Sequence, residues 1–144
     1  MFTGRHSHTI DKKGRVSIPS KFREVLLAKY DSTLVITNYI KCLYAYPSAE
    51  WKRLSKKFEQ MKQFDKANQD FLRFFVSAAE FCSIDKQGRI LIPPTLRDSA
   101  GLERKVTFVG VTSRIEIWNS KIWEEEFKRL RMSAERGEFA GLGI

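Results

Sequence analysis

The feature that most constrains this chain is an internal duplication. Residues 10–19 read IDKKGRVSIP, and the pattern returns at residues 84–93 as IDKQGRILIP. The same offset of 74 residues continues through residues 22–24 (FRE) and residues 96–98 (LRD). A unit of about 40 residues buries too little apolar surface to be stable alone. We therefore expect the two copies to pack on each other as a pseudo-twofold pair.

The pattern within each copy predicts short strands and one helix. Residues 9–10 and 16–18 flank a segment in which Asp11 can cap the turn and Gly14 can adopt a positive φ, which predicts a β-hairpin. Pro19 lacks an N–H group and ends the second strand, after which a short helix is expected. Two further strands complete a β-β-α-β-β unit, at residues 34–37 and 42–46 in the first copy and at residues 106–111 and 114–118 in the second.

Apolar stripes at helical spacing predict amphipathic helices between and after the two copies. The predicted fold class is α+β and mainly β, with two tandem modules that form one pseudo-twofold β-barrel core. The predicted boundaries are residues 5–50 for the first module, 51–78 for a helical connector, 79–122 for the second module and 123–144 for a C-terminal helix and tail. The stripes consist of Trp51, Leu54, Phe58 and Met61, then Phe71, Leu72, Phe75 and Ala79, and finally Trp123, Phe127, Leu130 and Ala134.

Composition and motifs argue against several classes of function. Of the 144 residues 42% are hydrophobic, yet the longest apolar runs fall far short of the ~20 residues that span a bilayer. Cys42 and Cys82 lack CxxC spacing and are expected to fill core space. No phosphate-binding loop or nucleophile elbow is present, so we expect no catalytic residue, cofactor or small-molecule substrate. His6 and His8 have no second ligand cluster, so no metal site is expected. Without an apolar leader, the cytoplasm is the expected compartment.

The charge balance predicts a polyanionic partner. Lysine and arginine number 26 against 17 acidic residues, which gives a net charge of +9 and favours nucleic acid or an anionic membrane. Residues 10–24 contain five bases whereas residues 84–98 contain three, and each window contains two acids. The first copy is therefore predicted to contact the polyanion, with Arg5, His6 and His8 adding to its face. The five bases of the first window are Lys12, Lys13, Arg15, Lys21 and Arg23.

Arg15 admits two interpretations from the residues alone. Its planar guanidinium can donate two hydrogen bonds to the O6 and N7 atoms of guanine, which a lysine cannot do in the same geometry. Alternatively, Asp11 and Arg15 form an ion pair across the turn and merely hold the hairpin together. The charge asymmetry between the copies favours the first interpretation.

The residues that carry this pattern resemble a known family. The opening MFTG, followed at residues 8–23 by HTIDKKGRVSIPSKFR, resembles the MraZ family of bacterial transcriptional regulators. DKQGR at residues 85–89 matches the family's repeated DxxxR motif, and AEFC at residues 79–82 precedes it. The resemblance covers nearly the whole chain. It implies two tandem SpoVT-AbrB domains of the swapped-hairpin type, assembled as a homo-oligomer into a ring of subunits.

The resemblance also implies a function. It implies a cytoplasmic, nucleoid-associated repressor of the division and cell-wall gene cluster that binds short tandem repeats of double-stranded DNA in the promoter of its own operon. The candidate DNA-binding residues are Arg15, Lys13, Lys12, Gly14, Lys21, Arg23, Arg5 and His8, and the structural members of the two motifs are Asp11, Asp85, Gly88 and Arg89.

Two alternatives remain open from the sequence. An AbrB-like global regulator or antitoxin would use the same turn, although such chains usually have one module. A basic interaction scaffold would bind RNA, membrane or a protein partner without operator specificity.

Overall fold

The computed structural model describes residues 1–144 as an α+β arrangement dominated by antiparallel strands. None of its helices combines the length and the apolar composition needed to cross a bilayer. The elements are β1 (Arg5–Thr9), β2 (Arg15–Ser17), α1 (Ser20–Lys29), β3 (Thr33–Asn38), β4 (Leu43–Pro47), α2 (Ser48–Glu59), α3 (Lys66–Phe71), a π-helical turn (Leu72–Val76), β5 (Glu80–Ser83), β6 (Arg89–Leu91), α4 (Pro94–Ser99), β7 (Lys105–Val111), β8 (Arg114–Asn119), α5 (Ser120–Glu135) and a short 3₁₀ turn (Ala140–Leu142).

The two copies share their strands. Six strands form one antiparallel sheet in the order β1-β7-β8-β4-β3-β5, and β2 pairs with β6 in a separate two-stranded ribbon. Only the hairpins β3–β4 and β7–β8 join strands of the same copy. Every other pair, namely β1–β7, β2–β6, β3–β5 and β4–β8, joins one copy to the other. The copies are thus interleaved and not merely adjacent.

The simple hairpin predicted around Asp11–Gly14 is wrong beyond its turn. β1 pairs with β7 and β2 pairs with β6, so the two strands that flank the turn leave in different directions. The Ile10 N–H donates to the Arg104 carbonyl, which ties the end of β1 to the second copy. Because β2 has only three residues, a local hairpin would bury little, whereas exchange lets its apolar side chain face the equivalent residue of the other copy.

The strand register places a pseudo-twofold axis at two points. Val16 lies opposite Ile90 in the ribbon, and these residues occupy the same position of the duplicated motif. Tyr44 lies opposite Glu116 in the centre of the sheet, again at corresponding positions of the two copies. A pair of equivalent residues can be directly opposite only where a twofold axis passes between them. The predicted pseudo-twofold arrangement of the two copies is confirmed.

One hydrophobic core lies between the sheet, the ribbon and two short helices. Its buried members come from both copies and from every layer, and five of them are Val16, Phe22, Ile90, Leu96 and Phe108. The ladder of the sheet does not close on itself, because β1 and β5 are its two edges. The ribbon, with α1 and α4, covers the remaining side of this barrel-like core.

The longer helices cover the outer face of the sheet. Trp51 and Phe58 of α2 pack with Phe75 of the π-helical turn against Val35 of β3. Trp123 of α5 packs with Trp118 of β8 in a separate cluster, and the Asn119 side chain begins α5 by accepting N–H groups of its first turn. The predicted amphipathic helices between and after the copies are confirmed.

Both cysteines serve packing. Cys42 and Cys82 are buried and form no disulfide. Burial raises the pKa of the Cys82 thiol to about 11, so this side chain is an uncharged apolar group at neutral pH. The interpretation of the cysteines as core-filling residues is confirmed.

Candidate nucleic-acid interface

The two duplicated turns have the same hydrogen-bonded geometry. In the first, the Gly14 N–H donates to the Asp11 carbonyl at 3.0 Å and Gly14 has φ of +93°. This is a turn closed by a glycine in the left-handed region, as in a three-residue hairpin loop. The carboxylate Oδ1 of Asp11 accepts the N–H groups of Lys13 and Arg15, each at 2.9 Å. The Asp and Gly of the motif are therefore the residues that shape the turn.

The second turn repeats these bonds. Asp85 Oδ1 accepts the N–H groups of Gln87 at 2.8 Å and Arg89 at 3.0 Å, and Gly88 has φ of +78°. In both turns the backbone N–H of the arginine is the largest cause that lowers the pKa of the aspartate. A depressed pKa means that this support is complete above the unfolded value and is lost as the pH falls through the folded pKa. Both turns are therefore fully supported at neutral pH.

Replacement of Asp11 separates its hydrogen bonds from its charge. In Asp11→Asn the side-chain oxygen still accepts the N–H groups of Lys13 and Arg15, whereas in Asp11→Ala both N–H groups lose that acceptor. We expect amide hydrogen exchange at these two positions to be clearly faster in Asp11→Ala and close to wild type in Asp11→Asn. Equal acceleration in both variants would mean that the carboxylate acts through its charge.

The ribbon presents a polar outer face between the two turns. Side chains alternate along a strand, so the burial of Val16 and Ile90 turns their neighbours outward. Arg15 lies opposite Leu91, and Ser17 lies opposite Arg89. The two arginines are diagonal neighbours, which places their Cα atoms about 7–8 Å apart. The structure thus brings the arginines of both motifs onto one surface, which their spacing along the chain does not indicate.

The two arginines differ in their partners. Arg89 Nε lies 3.4 Å from Asp85 Oδ2, so the second motif forms the ion pair across the turn. Arg15 has no carboxylate within ion-pair distance. The first turn therefore lacks a close ion pair between Asp11 and Arg15, although the charge of Arg15 is among the causes that lower the pKa of Asp11. Arg15 is half-buried, and neither guanidinium donates a hydrogen bond within the protein, since the Nε of Arg89 is buried without a hydrogen-bond partner despite its distance of 3.4 Å from Asp85.

Each turn packs against the helix of the other copy. A Cβ on Gly14 would lie 2.8 Å from Cζ of Arg97, and a Cβ on Gly88 would lie 2.9 Å from Cζ of Arg23. The structure therefore places Arg23 beside the second turn and Arg97 beside the first. The count of bases within windows of the sequence, five against three, does not describe the charges around the turns in space. Arg97 was missed, although its position in the repeat, 74 residues after Arg23, was available as a signal.

The remaining candidate residues lie at different distances from the turns. Lys12, Lys13 and Lys21 are exposed, the first two on the turn itself and the third in the first turn of α1. Arg5 lies apart from the turn, at the far end of β1, with its guanidinium 4.3 Å from the ring centroid of Phe127 on α5.

His8 is half-buried, with its ring edge against Phe108 at 5.7 Å between centroids. Burial, followed by the charges of His6 and Arg23, lowers the pKa of His8 below its usual value. Its imidazole is therefore harder to protonate than that of a free histidine.

Comparison with known proteins identifies the family. Residues 1–74 and 75–140 each match the family described as "MraZ protein, putative antitoxin-like". A protein named transcriptional regulator MraZ from Syntrophobacter fumaroxidans is 46% identical over 145 residues, covering 99% of this chain and 97% of its own. Two further relatives have the same name. The one from Acetivibrio thermocellus is 46% identical with full coverage of both chains, and the one from Caldanaerobacter subterraneus is 45% identical over 94% of this chain and 92% of its own. The chain therefore belongs to the MraZ family, which is a family of transcriptional regulators and not of enzymes.

Proposed function

We propose that the chain is a sequence-specific DNA-binding regulator whose outer ribbon face and first turn contact the major groove. The single observation that carries this proposal is the guanidinium of Arg15 at the edge of a basic turn, which has no carboxylate within ion-pair distance, whereas Arg89 of the second turn lies 3.4 Å from Asp85. The major groove of B-DNA is wide enough to admit a two-stranded β-ribbon. An arginine without an internal partner is free to donate both arms of its fork to guanine.

The residues around Arg15 have distinct proposed roles. Lys12, Lys13 and Lys21 are exposed cations that neutralise backbone phosphates without reading sequence. Gly14 shapes the turn and leaves room for the neighbouring copy. Arg89 is held by Asp85 and makes the smaller contribution to recognition. Leu91, which is 51% exposed opposite Arg15, is an apolar group of the kind that contacts the thymine methyl.

We propose further that the regulator acts as a homo-oligomer, in a ring with several first turns on one rim. Tandem repeats about one helical turn apart, roughly 10 base pairs, would present successive sites on one face of the DNA. Each subunit then makes a modest contact, and the linked sites bind together at high effective concentration. The resemblance supports this arrangement, with the promoter of its own operon of division and cell-wall genes as the target and repression by blocking polymerase as the outcome.

Binding of two duplexes by three variants tests the proposal. Wild type is expected to prefer a duplex from the DNA upstream of its own gene over a scrambled duplex of the same composition. Arg15→Ala should lose about 1–3 kcal/mol of that discrimination, the amount that a bidentate arginine contact to guanine supplies. Arg89→Ala is the matched control, because it removes the equivalent arginine that is already paired with Asp85. Its loss of discrimination should be clearly smaller.

Lys13→Ala separates positioning from reading of bases. It should weaken both duplexes equally and reduce the slope of log affinity against log salt by about 0.9, as expected for one lost phosphate contact. Equal affinity of wild type for the scrambled duplex, or tighter binding to RNA of the same sequence, would instead support a basic interaction scaffold without operator specificity.

A further inference from the structure

A cleft beside the first turn is built from both copies of the repeat. It has a volume of about 240 Å³ and lies between the turn and the segment that joins α4 to β7. The first copy contributes Asp11 and Lys12, and the second contributes Arg97, Glu103 and Arg104. None of the three basic residues forms an ion pair within the protein.

Arg97 is held in a fixed orientation at the wall of this cleft. Its Nε–H donates to the Ile92 carbonyl at 3.0 Å, and its guanidinium occupies the space that a side chain on Gly14 would need. The two Nη groups have no hydrogen-bond partner in the protein. A planar guanidinium whose inner edge is fixed and whose outer edge is free is suited to a bidentate contact with a phosphate.

The charges in the cleft favour an anion. Three basic side chains face two carboxylates, which leaves one net positive charge at neutral pH. One of those carboxylates, that of Asp11, is already engaged by the N–H groups of Lys13 and Arg15. The Asp11 carboxylate keeps its charge but is oriented by the turn, whereas the three cationic groups have no ion-pair partner in the protein and are available to a ligand.

The equivalent cleft beside the second turn lacks this excess. It has a volume of about 270 Å³ and contains Arg23 and Lys86 against Asp31 and Asp85, so its charges balance. Ser32 lines it in the segment that leads into β3, where the first cleft has an arginine in the segment that leads into β7. Two clefts of the same origin thus differ in charge, and the excess belongs to the turn with the unpaired arginine.

We propose that the cleft formed by Lys12, Arg97 and Arg104 binds a backbone phosphate of the DNA whose bases Arg15 reads. The inference rests on the proposed DNA-binding function and adds to it a phosphate contact made by the second copy of the repeat. Because phosphates fix register and orientation, this contact positions Arg15 against the base edges without carrying sequence information itself. The second copy then takes part in binding at the first turn instead of only completing the fold.

Salt dependence of DNA binding tests this contact directly. Arg104→Gln and Arg97→Gln are each expected to reduce the slope of log affinity against log salt, by at most the amount of about 0.9 that the loss of one whole phosphate contact gives. Both should weaken the native and the scrambled duplex by the same factor, so the preference between the duplexes stays at the wild-type value. Arg131→Gln is the matched control, because it removes one exposed arginine on α5 that has no ion-pair partner. Its slope should remain that of wild type.

The Arg97→Gln and Arg104→Gln variants differ in their expected effect on folding. Arg97 also supports the turn through Ile92, so its loss can lower thermal stability, whereas the Arg104 side chain makes no hydrogen bond in the protein. A wild-type slope in Arg104→Gln and in any folded Arg97→Gln, with the duplex preference intact, would overturn the phosphate cleft. Failure of the proposed function would show differently, as equal affinity of the wild-type protein for both duplexes.

Discussion

Residues 1–74 expressed alone are expected to be unfolded as a monomer. In the full chain, β1 and β2 have their only partners in the second copy, and β4 has one of its two partners there. The fragment also loses the apolar side chains that the second copy adds to the common core, including Ile90, Leu96 and Phe108. A chain of this length that loses half of its core cannot offset the conformational entropy of folding.

Circular dichroism and sedimentation across a wide range of protein concentration measure this outcome. At low concentration the fragment should show neither secondary structure nor a compact shape. As the concentration rises, two fragments can pair, because Val16 lies on the pseudo-twofold axis and would face its own counterpart. Addition of residues 75–144 at equal concentration is the matched control and should restore the fold. A compact, folded monomer of residues 1–74 would contradict the interleaved arrangement.

The interleaving also explains which parts of the fold could be predicted from the sequence. The turn could be predicted, because Asp11 supplies the hydrogen-bond acceptor and Gly14 the positive φ that such a turn needs. The strands and the amphipathic helices could also be predicted, because the spacing of their apolar residues is a local property of the sequence. The partner of each strand could not. The alternation of apolar and polar residues around Val16 shows that one face of β2 is buried. The same alternation is compatible with a local hairpin and with pairing of β2 to β6.

The same distinction applies to the candidate interface. The sequence pointed to Arg15 through its motif and to the lysines beside it through their charge. It assigned Arg23 to the first turn because the two are close along the chain, whereas the structure places Arg23 at Gly88 and Arg97 at Gly14. Distance along a chain is a poor guide once strands are exchanged. The absence of a close ion pair at Arg15 depends on side-chain positions that no spacing encodes.

Phe22→Ala is expected to lower the free energy of unfolding by about 3–5 kcal/mol, the usual cost of truncating a buried phenylalanine. Phe22 is 1% exposed on α1. Its ring makes T-shaped contacts with the rings of Phe2 and His6, at 5.7 Å and 5.1 Å between ring centroids. The main chain around the site is held by pairing with the second copy, so the cavity cannot close completely.

Urea unfolding of matched variants measures this loss. Leu27→Ala lies on the same helix at a residue that is 84% exposed, and it should change stability by no more than about 0.5 kcal/mol. Phe22→Leu introduces the residue that stands at the equivalent position of the second copy, Leu96, and should cost less than the alanine variant. All variants are compared at one protein concentration, because association adds to apparent stability by mass action.

A core shared by both copies also predicts that urea unfolds the whole chain in a single transition. Phe22 belongs to the first copy, yet the core cluster that contains it also includes Leu96 and Phe108 of the second. Its truncation should therefore shift one cooperative transition, with the fluorescence of Trp51, which packs against β3 of the first copy, and of Trp118 in the second copy changing at the same urea concentration. Variants that each retain one of these tryptophans, with Phe in place of the others, separate the two signals. An earlier transition confined to Trp51 would show that the copies unfold separately, which the crossed pairing of β1 with β7 and β2 with β6 does not allow.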